Sequence, residues 1–172
     1  MIRVDIGKCT GCKRCETVCA FFHTGRISNR LARIKVLNLY NTGIDAPIVC
    51  VQCSERYCMQ CPSNALTIGR FGQVIASPTL CTNCGTCEKN CPIGAIELFN
   101  DLVYVCDFCG GEPKCIEACT EGAITRDDQE VEHTSLSVYI QETKEMNPSQ
   151  KRHVYLSALS SDLRNKWRKK RA

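Results

Sequence analysis

The chain has 172 residues, a formal net charge of +4 and 16 cysteines, against one Trp, five Tyr and five Phe. That length holds one domain or two small ones, and so little bulky material leaves metal ligation to supply part of the stabilising burial. The opening MIRVDIGKC has neither a basic n-region nor an apolar h-region, and no later run is long enough to span a membrane. A secreted disulfide scaffold is therefore disfavoured, and a reducing, cytoplasmic location is expected.

In chain order, Cys9, Cys12, Cys15 and Cys19 come first, as C-x2-C-x2-C-x3-C. RIKVLNLY at 33–40 is β-branched enough to predict a strand. Cys50, Cys53, Cys58 and Cys61 follow as C-x2-C-x4-C-x2-C, then ALTIGRFGQVIA, which reads as strand, glycine-containing turn and strand. Cys81, Cys84, Cys87 and Cys91 repeat the first spacing, and AIELFNDLVYV reads as two strands around Asn100 and Asp101. Cys106, Cys109, Cys115 and Cys119 close the series as C-x2-C-x5-C-x3-C. After three of the groups comes an echo, PSNAL, PIGAI and TEGAI, whose proline, where present, stops the preceding short helix.

Residues 126–148 are polar, with one strand-like run, SLSVYI, and from about Ser149 the pattern turns helical. Leu156, Leu159, Leu163 and Trp167 form a stripe at helical spacing among basic residues, either packed on its own domain or free to dock a partner. Residues 149–172 carry +7, so the remainder is −3. An oxidised cluster with four thiolates adds roughly −2 per site, which would make the loaded protein acidic.

Four groups of four use every cysteine. A tight C-x2-C-x2-C loop lets three thiolates grip three corners of a cubane, while the fourth, on the next helix turn, ligates the other cluster of a pair. Zinc knuckles supply two thiolates per loop and not three, so four 4Fe-4S clusters are expected. The second group is one residue short between Cys58 and Cys61. Either a local shift of the turn before Pro62 still aims Cys61 at the Cys81 cluster, or Cys50, Cys53, Cys58 and Cys61 close on one zinc or iron ion. The second arrangement would leave the third group without its fourth ligand and Cys91 without a role.

From Cys9 to about Arg126 the chain resembles the four-cluster, ferredoxin-like electron-transfer subunits of multisubunit oxidoreductases. CAFFHTGRISNRLARIKV is most similar to the small subunits that accompany tungsten-dependent enzymes of the aldehyde:ferredoxin oxidoreductase type, including benzoyl-CoA reductase. The resemblance implies an α+β fold of two nested bacterial-ferredoxin-like two-cluster units. The outer unit is 1–49 with 97–126, the inner, inserted unit is 50–96, and 127–172 is a polar extension ending in a basic amphipathic helix. It also implies the ligand sets Cys9, Cys12, Cys15 and Cys119; Cys106, Cys109, Cys115 and Cys19; Cys50, Cys53, Cys58 and Cys91; and Cys81, Cys84, Cys87 and Cys61.

The function expected is a relay of single electrons to or from a large catalytic subunit, a tungsten- or molybdenum-pterin enzyme, with room for a further donor or acceptor subunit. A free-standing polyferredoxin shuttle is the alternative, and a zinc-binding nucleic-acid module a third. No catalytic site is expected in the chain itself, because every thiol is a ligand and His23, His133 and His153 have no visible nucleophile or acid partner. Lys8, Lys13, Arg14, Lys89 and Lys114 flank cysteines, where they either raise cluster potentials or are solvated loop charges.

Overall fold

The computed structural model describes residues 1–126 and 136–171, without the side chain of Arg171. Its architecture is α+β, with short helices and four two-stranded antiparallel ribbons among the described residues. Three ribbons are hairpins. β2 (Lys35–Leu39) pairs with β3 (Ile44–Ile48), β4 (Leu66–Ile68) with β5 (Val74–Ala76), and β6 (Glu97–Phe99) with β7 (Leu102–Tyr104). Asn100 and Asp101 turn the last hairpin with φ of 48° and 59°, the twist that suits a two-residue connection.

The fourth ribbon joins the chain's distant ends: β1 (Ile2–Val4) runs against β8 (Ile124–Arg126), with Ile2 opposite Arg126 and Val4 opposite Ile124. Neither strand was expected, since three residues carry too little pattern to read. β3 was missed because IDAPI interrupts its apolar run with Asp45 and Pro47. A two-stranded ribbon consists of edges, where a missing N–H is tolerated.

Short helices carry some of the cysteines, and loops the rest. α1 (Arg14–Thr24) buries Cys15, Cys19 and Ala20 on one face and stops at Gly25, whose φ is 67° and whose N–H donates to the Phe21 carbonyl. α2 (Thr86–Asn90) buries Cys87, and α3 (Lys114–Glu117) buries Cys115.

Three cores result. In the first, Cys15, Cys19, Cys106 and Cys115 pack with Ile34, Val36, Phe108 and Ile124. In another, Cys58 and Cys87 pack with Leu66, Val74, Ile96 and Val105. Thiols make up much of both, so these cores are built around ligand atoms and not around aromatic side chains.

The remaining core is apolar: Leu39, Ala46 and Ile48 of the β2–β3 hairpin meet Ile93, Leu136 and Leu156. It is here that the C-terminal extension docks. The run SLSVYI is not a strand; apart from Ser135, which lies outside the described residues, it belongs to the turn at Leu136 and to α4 (Ser137–Thr143). A helix sets Tyr139 and Thr143 one turn apart on the same face. Tyr139 meets the Tyr155 ring edge-on at 5.3 Å, and the Thr143 hydroxyl donates to the Pro92 carbonyl. Tertiary contact thus overrides the local β preference.

α5 (Pro148–Arg171) confirms the helical reading and resolves its stripe: Leu156 is 1% exposed and Leu159 packs beside it. The stripe is an internal contact.

Candidate metal centre

The four cysteine groups share one backbone device. The second spacer residue of each opening C-x2-C is left-handed: φ is 70° at Gly11, 52° at Gln52, 56° at Asn83 and 59° at Phe108. Only the first of these is a glycine, and a non-glycine residue in that region costs on the order of 1–3 kcal/mol, so the surrounding structure must hold the loop in place. For Gln52 the restraint is visible. Its buried side chain donates to the Cys106 carbonyl at 3.0 Å and accepts from the Val74 N–H at 3.0 Å and from Arg56 at 2.9 Å.

A second device follows the last cysteine of three groups. Asn64, Gly94 and Gly122 are left-handed, with φ of 52°, 64° and 62°. Their N–H groups donate to the carbonyls of Cys61, Cys91 and Cys119 at 3.2, 3.4 and 3.2 Å. The echo in PSNAL, PIGAI and TEGAI is therefore a repeated turn. Next in line, the Ala65 N–H donates to Cys61 Sγ at 3.4 Å and the Ala95 N–H to Cys91 Sγ at 3.3 Å. Cys61 occupies the same turn as Cys91. The α-helical turn expected before it is instead a single 3-10 turn, Tyr57–Met59, which ends ahead of Cys61 and absorbs the missing residue upstream.

N–H donors reach sulfur elsewhere too, from Gly11 to Cys9 at 3.4 Å and from Arg33 to Cys19 at 3.2 Å. Such bonds favour the thiolate. Burial opposes them. It pushes Cys15, Cys58 and Cys115 up to about 12 and Cys87 to about 11, so metal binding at these positions must displace protons.

After burial, the charges acting on each thiol identify its neighbours. Cys12 and Cys119 act on Cys9, while Cys115, Cys19 and Cys109 act on Cys106. Cys91, Cys106 and Cys58 act on Cys50, and Cys81 and Cys61 act on Cys87. One cavity is lined by Cys9, Cys12, Cys15 and Cys119 together. Electrostatic influence also runs between these sets, with Cys15 acting on Cys115 and Cys87 on Cys58. Two cysteines are exposed, Cys12 and Cys84.

Tetrahedral zinc, with Zn–S bonds of about 2.3 Å, needs thiolates within about 4 Å of one another. Among the described residues, one set of three or more His, Cys or carboxylate donors lies within 4.8 Å mutually: His23, Asp107 and Cys109. The four-thiol sets are spread wider than one ion allows, and all sixteen thiols are free of disulfide pairing. A donor set of this chemistry and spacing fits a larger sulfide-bridged core.

His23, for which the sequence showed no acid or nucleophile partner, has both groups nearby: its Nε2 lies 3.6 Å from Cys109 Sγ and 3.5 Å from Asp107 Oδ1. Arg33 Nη1 holds the other Asp107 oxygen at 2.5 Å. Burial and then the Arg33 charge pull His23 below its usual range. At Asp107 burial is the largest influence and pushes the carboxyl up, but the Arg33 charge and hydrogen bond, the Cys109 N–H and His23 together bring it below its usual range. His153 is exposed and meets Ser157 at 3.3 Å, and His133 lies outside the described residues.

Of the flanking cations, three make surface pairs: Lys8 with Asp5, Lys89 with Glu145, and Lys114 with Glu112 and Glu117. These are solvated surface charges. The buried cations come from α5, inside the run that reads as a basic amphipathic helix. Lys151 is 1% exposed and its Nζ donates to the carbonyls of Glu88, Lys89 and Cys91 at 3.2, 2.5 and 3.2 Å. Burial pulls its ammonium below the usual lysine range, and the first opposing charge is the Cys91 thiolate. Arg152 donates to the Gly94 carbonyl at 2.9 Å and pairs with Glu97 at 3.1 Å. No sequence signal marked either residue, because Lys and Arg are so rarely buried.

Models of the 4Fe-4S binding domain match residues 1–27 and 74–97. The polyferredoxin-like subunit of aliphatic sulfonate oxidoreductase from Pyrococcus furiosus is 41% identical over 124 residues, covering 70% of this chain and 71% of that one. The beta subunit of NADH-dependent phenylglyoxylate dehydrogenase from Aromatoleum evansii is 33% identical over 129 residues, 72% of this chain but 29% of the longer relative. Among solved structures, a chain of the active site complex BamBC of benzoyl coenzyme A reductase matches at 23% identity with a TM-score of 0.46, covering 86% of this chain and 90% of the other.

Proposed function

Since the chain belongs to the polyferredoxin-like iron-sulfur proteins, we propose that it relays single electrons through four 4Fe-4S clusters to or from a large catalytic subunit, a tungsten- or molybdenum-pterin oxidoreductase. Electron transfer is the chemistry of the family. The partner, its metal and its substrate are the proposed part, as are a further donor or acceptor subunit and a cytoplasmic location. No helix among the described residues is long and apolar enough to cross a membrane.

We assign Cys9, Cys12, Cys15 and Cys119 to one cluster and Cys106, Cys109, Cys115 and Cys19 to its mate. Cys50, Cys53, Cys58 and Cys91 hold a third, and Cys81, Cys84, Cys87 and Cys61 a fourth. The observation that carries the assignment is the crossed neighbourhood of the fourth cysteines: Cys119 acts on Cys9, Cys19 on Cys106, Cys91 on Cys50 and Cys61 on Cys87. That crossing supports the nested outer and inner units. The β1–β8 ribbon supports closure of 1–49 with 97–126, while Val103 and Val105 lean on the core of 50–96 and tie the two units together.

When bound, such clusters supply reversible one-electron storage, spread over iron and sulfide so that little reorganisation accompanies transfer. The chain's own groups do the rest. N–H donors to Cys9, Cys19, Cys61 and Cys91 stabilise thiolate charge, and the buried thiol cores exclude water. The electrostatic influence of Cys15 on Cys115, Cys106 on Cys50 and Cys87 on Cys58 supports a linear order of the four sites. The exposed Cys12 and Cys84 then lie at its two ends, where electrons would enter and leave. This chain contributes no catalysis of its own in that reading.

Anaerobic purification with the native partner, followed by iron, sulfide, tungsten and molybdenum analysis, tests it. Sixteen irons per chain and a pterin metal in the complex are expected. A lone monomer that loses its partner at high salt would favour the diffusing shuttle. A colourless chain with stoichiometric zinc would return the nucleic-acid module.

A further inference from the structure

Lys151 and Arg152 are neighbours on α5, both buried, yet only one has a carboxylate. Arg152 pairs with Glu97, whereas among the described residues no carboxylate lies within ion-pair distance of Lys151. Its three acceptors are neutral carbonyls, two of them in the last turn of α2 and the third that of Cys91. Carbonyl oxygens at a helix end offer partial negative charge, but a buried ammonium ordinarily demands a full counter-charge. Three carbonyls could be satisfied without any net charge, so capping alone does not explain the choice of a cation.

The missing counter-charge lies on the other side of Cys91. With four thiolates, a cluster there would carry about −2, and one more negative charge on reduction. Resting on the ligand sets above, we propose that Lys151 is the buried counter-charge of the Cys91-ligated cluster and raises its reduction potential above what its loops alone would set. The C-terminal helix, which contributes no ligand, thereby tunes one member of the relay. An ammonium held there favours the state with one electron more at that site, the electron coming from the adjoining site, which is oxidised in return. Because it is excluded from water, the charge acts with little screening by salt, unlike the surface cations Lys8, Lys89 and Lys114.

The test uses the full chain, loaded anaerobically, with iron and sulfide counted before each redox titration followed by electron paramagnetic resonance. In Lys151→Gln, which keeps N–H donors for the carbonyls, one of the four potentials should fall. A tenfold loss of reduced fraction at fixed poise, or 59 mV for one electron, is the expected scale. Lys151→Arg should hold that potential near its original value. Glu145→Lys, on the surface, reverses a charge that acts on the same corner and should raise the same potential at low ionic strength. Four unmoved potentials in Lys151→Gln, or four that move together, overturn the proposal. Should that variant fail to hold sixteen irons, Glu145→Lys decides, and no rise at a single site overturns it. Fewer than sixteen irons in the unaltered chain would overturn the four-cluster reading itself, and the count separates the two failures.

Discussion

Arg152 Nη1 and Glu97 Oε2 lie 3.1 Å apart, joining α5 to the β6–β7 hairpin across 55 residues of sequence. Both side chains are buried, at 8% and 10% exposure, and the second Glu97 oxygen is held by Arg30 at 3.0 Å. Arg30 in turn stacks on the Phe99 ring, 4.4 Å from its centroid. Without Arg152, Glu97 keeps only its half-exposed partner Arg30, so the loss is that of one charged hydrogen bond, about 1.5–3 kcal/mol, and not that of a stranded charge. Arg152→Met should lower stability by that amount in anaerobic denaturant titrations. The double variant Arg152→Met, Glu97→Leu should recover part of the loss, because no buried carboxylate is then left short of a partner. A single variant within 1 kcal/mol of the unaltered chain would show that the pair is solvated.

Leu156 carries the apolar side of the same docking. It is fully buried against Leu39, Ile48 and Ile93, so Leu156→Ala should cost about 2–5 kcal/mol. Lys166→Ala and Lys169→Ala, at exposed positions of the same helix, should cost nothing measurable. Thermal unfolding of the loaded protein reads the difference. If α5 were a free partner-docking helix, all three substitutions would leave unfolding unchanged and Leu156→Ala would instead weaken a complex.

Much of this was legible in the sequence, and the reasons differ by residue. The cysteine spacings announced the centres because ligand geometry leaves few alternatives. Asn100 and Asp101 announced a hairpin because left-handed turns select few residues. The helical stripe through Leu156 could be read, but not its destination, since nothing local says which surface a helix meets. Lys151 and Arg152 were read only as part of the basic tail for the same reason: their partners are carbonyls and a carboxylate roughly sixty residues away. SLSVYI misled because β-branched residues report local preference, and the Tyr139–Tyr155 contact that decides its conformation is tertiary.

Cluster removal should unfold the two thiol-rich cores and leave the third. Ile34, Val36 and Ile124 pack on Cys15, Cys19, Cys106 and Cys115, and once iron is stripped those thiols keep only their modest apolar burial. Anaerobic chelation followed by hydrogen exchange should find fast amides throughout 9–20 and 106–126. Slower exchange should persist around Leu39, Ile48 and Leu156, whose contacts are aliphatic. Uniform protection in the stripped protein would show that the fold does not depend on its metal.

Cys61 gives the sharpest test of the shortened spacer. Its turn matches that of Cys91 in the left-handed Asn64 and in the N–H bond from Ala65 to sulfur. If it is the fourth ligand of the Cys81 site, Cys61→Ser should lower iron by one cluster or convert that cluster to a three-iron form, sparing the other three. Cys53→Ser should damage a different cluster, distinguishable by its resonance spectrum. Were Cys50, Cys53, Cys58 and Cys61 to share one ion, both substitutions would damage the same site.

Gly94 and Gly122 are left-handed at equivalent places after Cys91 and Cys119, with φ of 64° and 62°, but their surroundings differ. A Cβ on Gly122 meets nothing within 4 Å, so Gly122→Ala should cost only the backbone penalty, about 1–2 kcal/mol. A Cβ on Gly94 would stand 2.3 Å from the Pro148 carbonyl oxygen and 3.1 Å from Lys151 Cβ, and backbone at the start of α5 cannot yield as a side chain would. Gly94→Ala should therefore cost more than Gly122→Ala and push α5 outward, taking Lys151 away from the Cys91 carbonyl. Paired denaturation curves check the first expectation. Redox titration checks the second, since displacement of Lys151 should lower the same potential that Lys151→Gln lowers, while Gly122→Ala should leave that potential where it was.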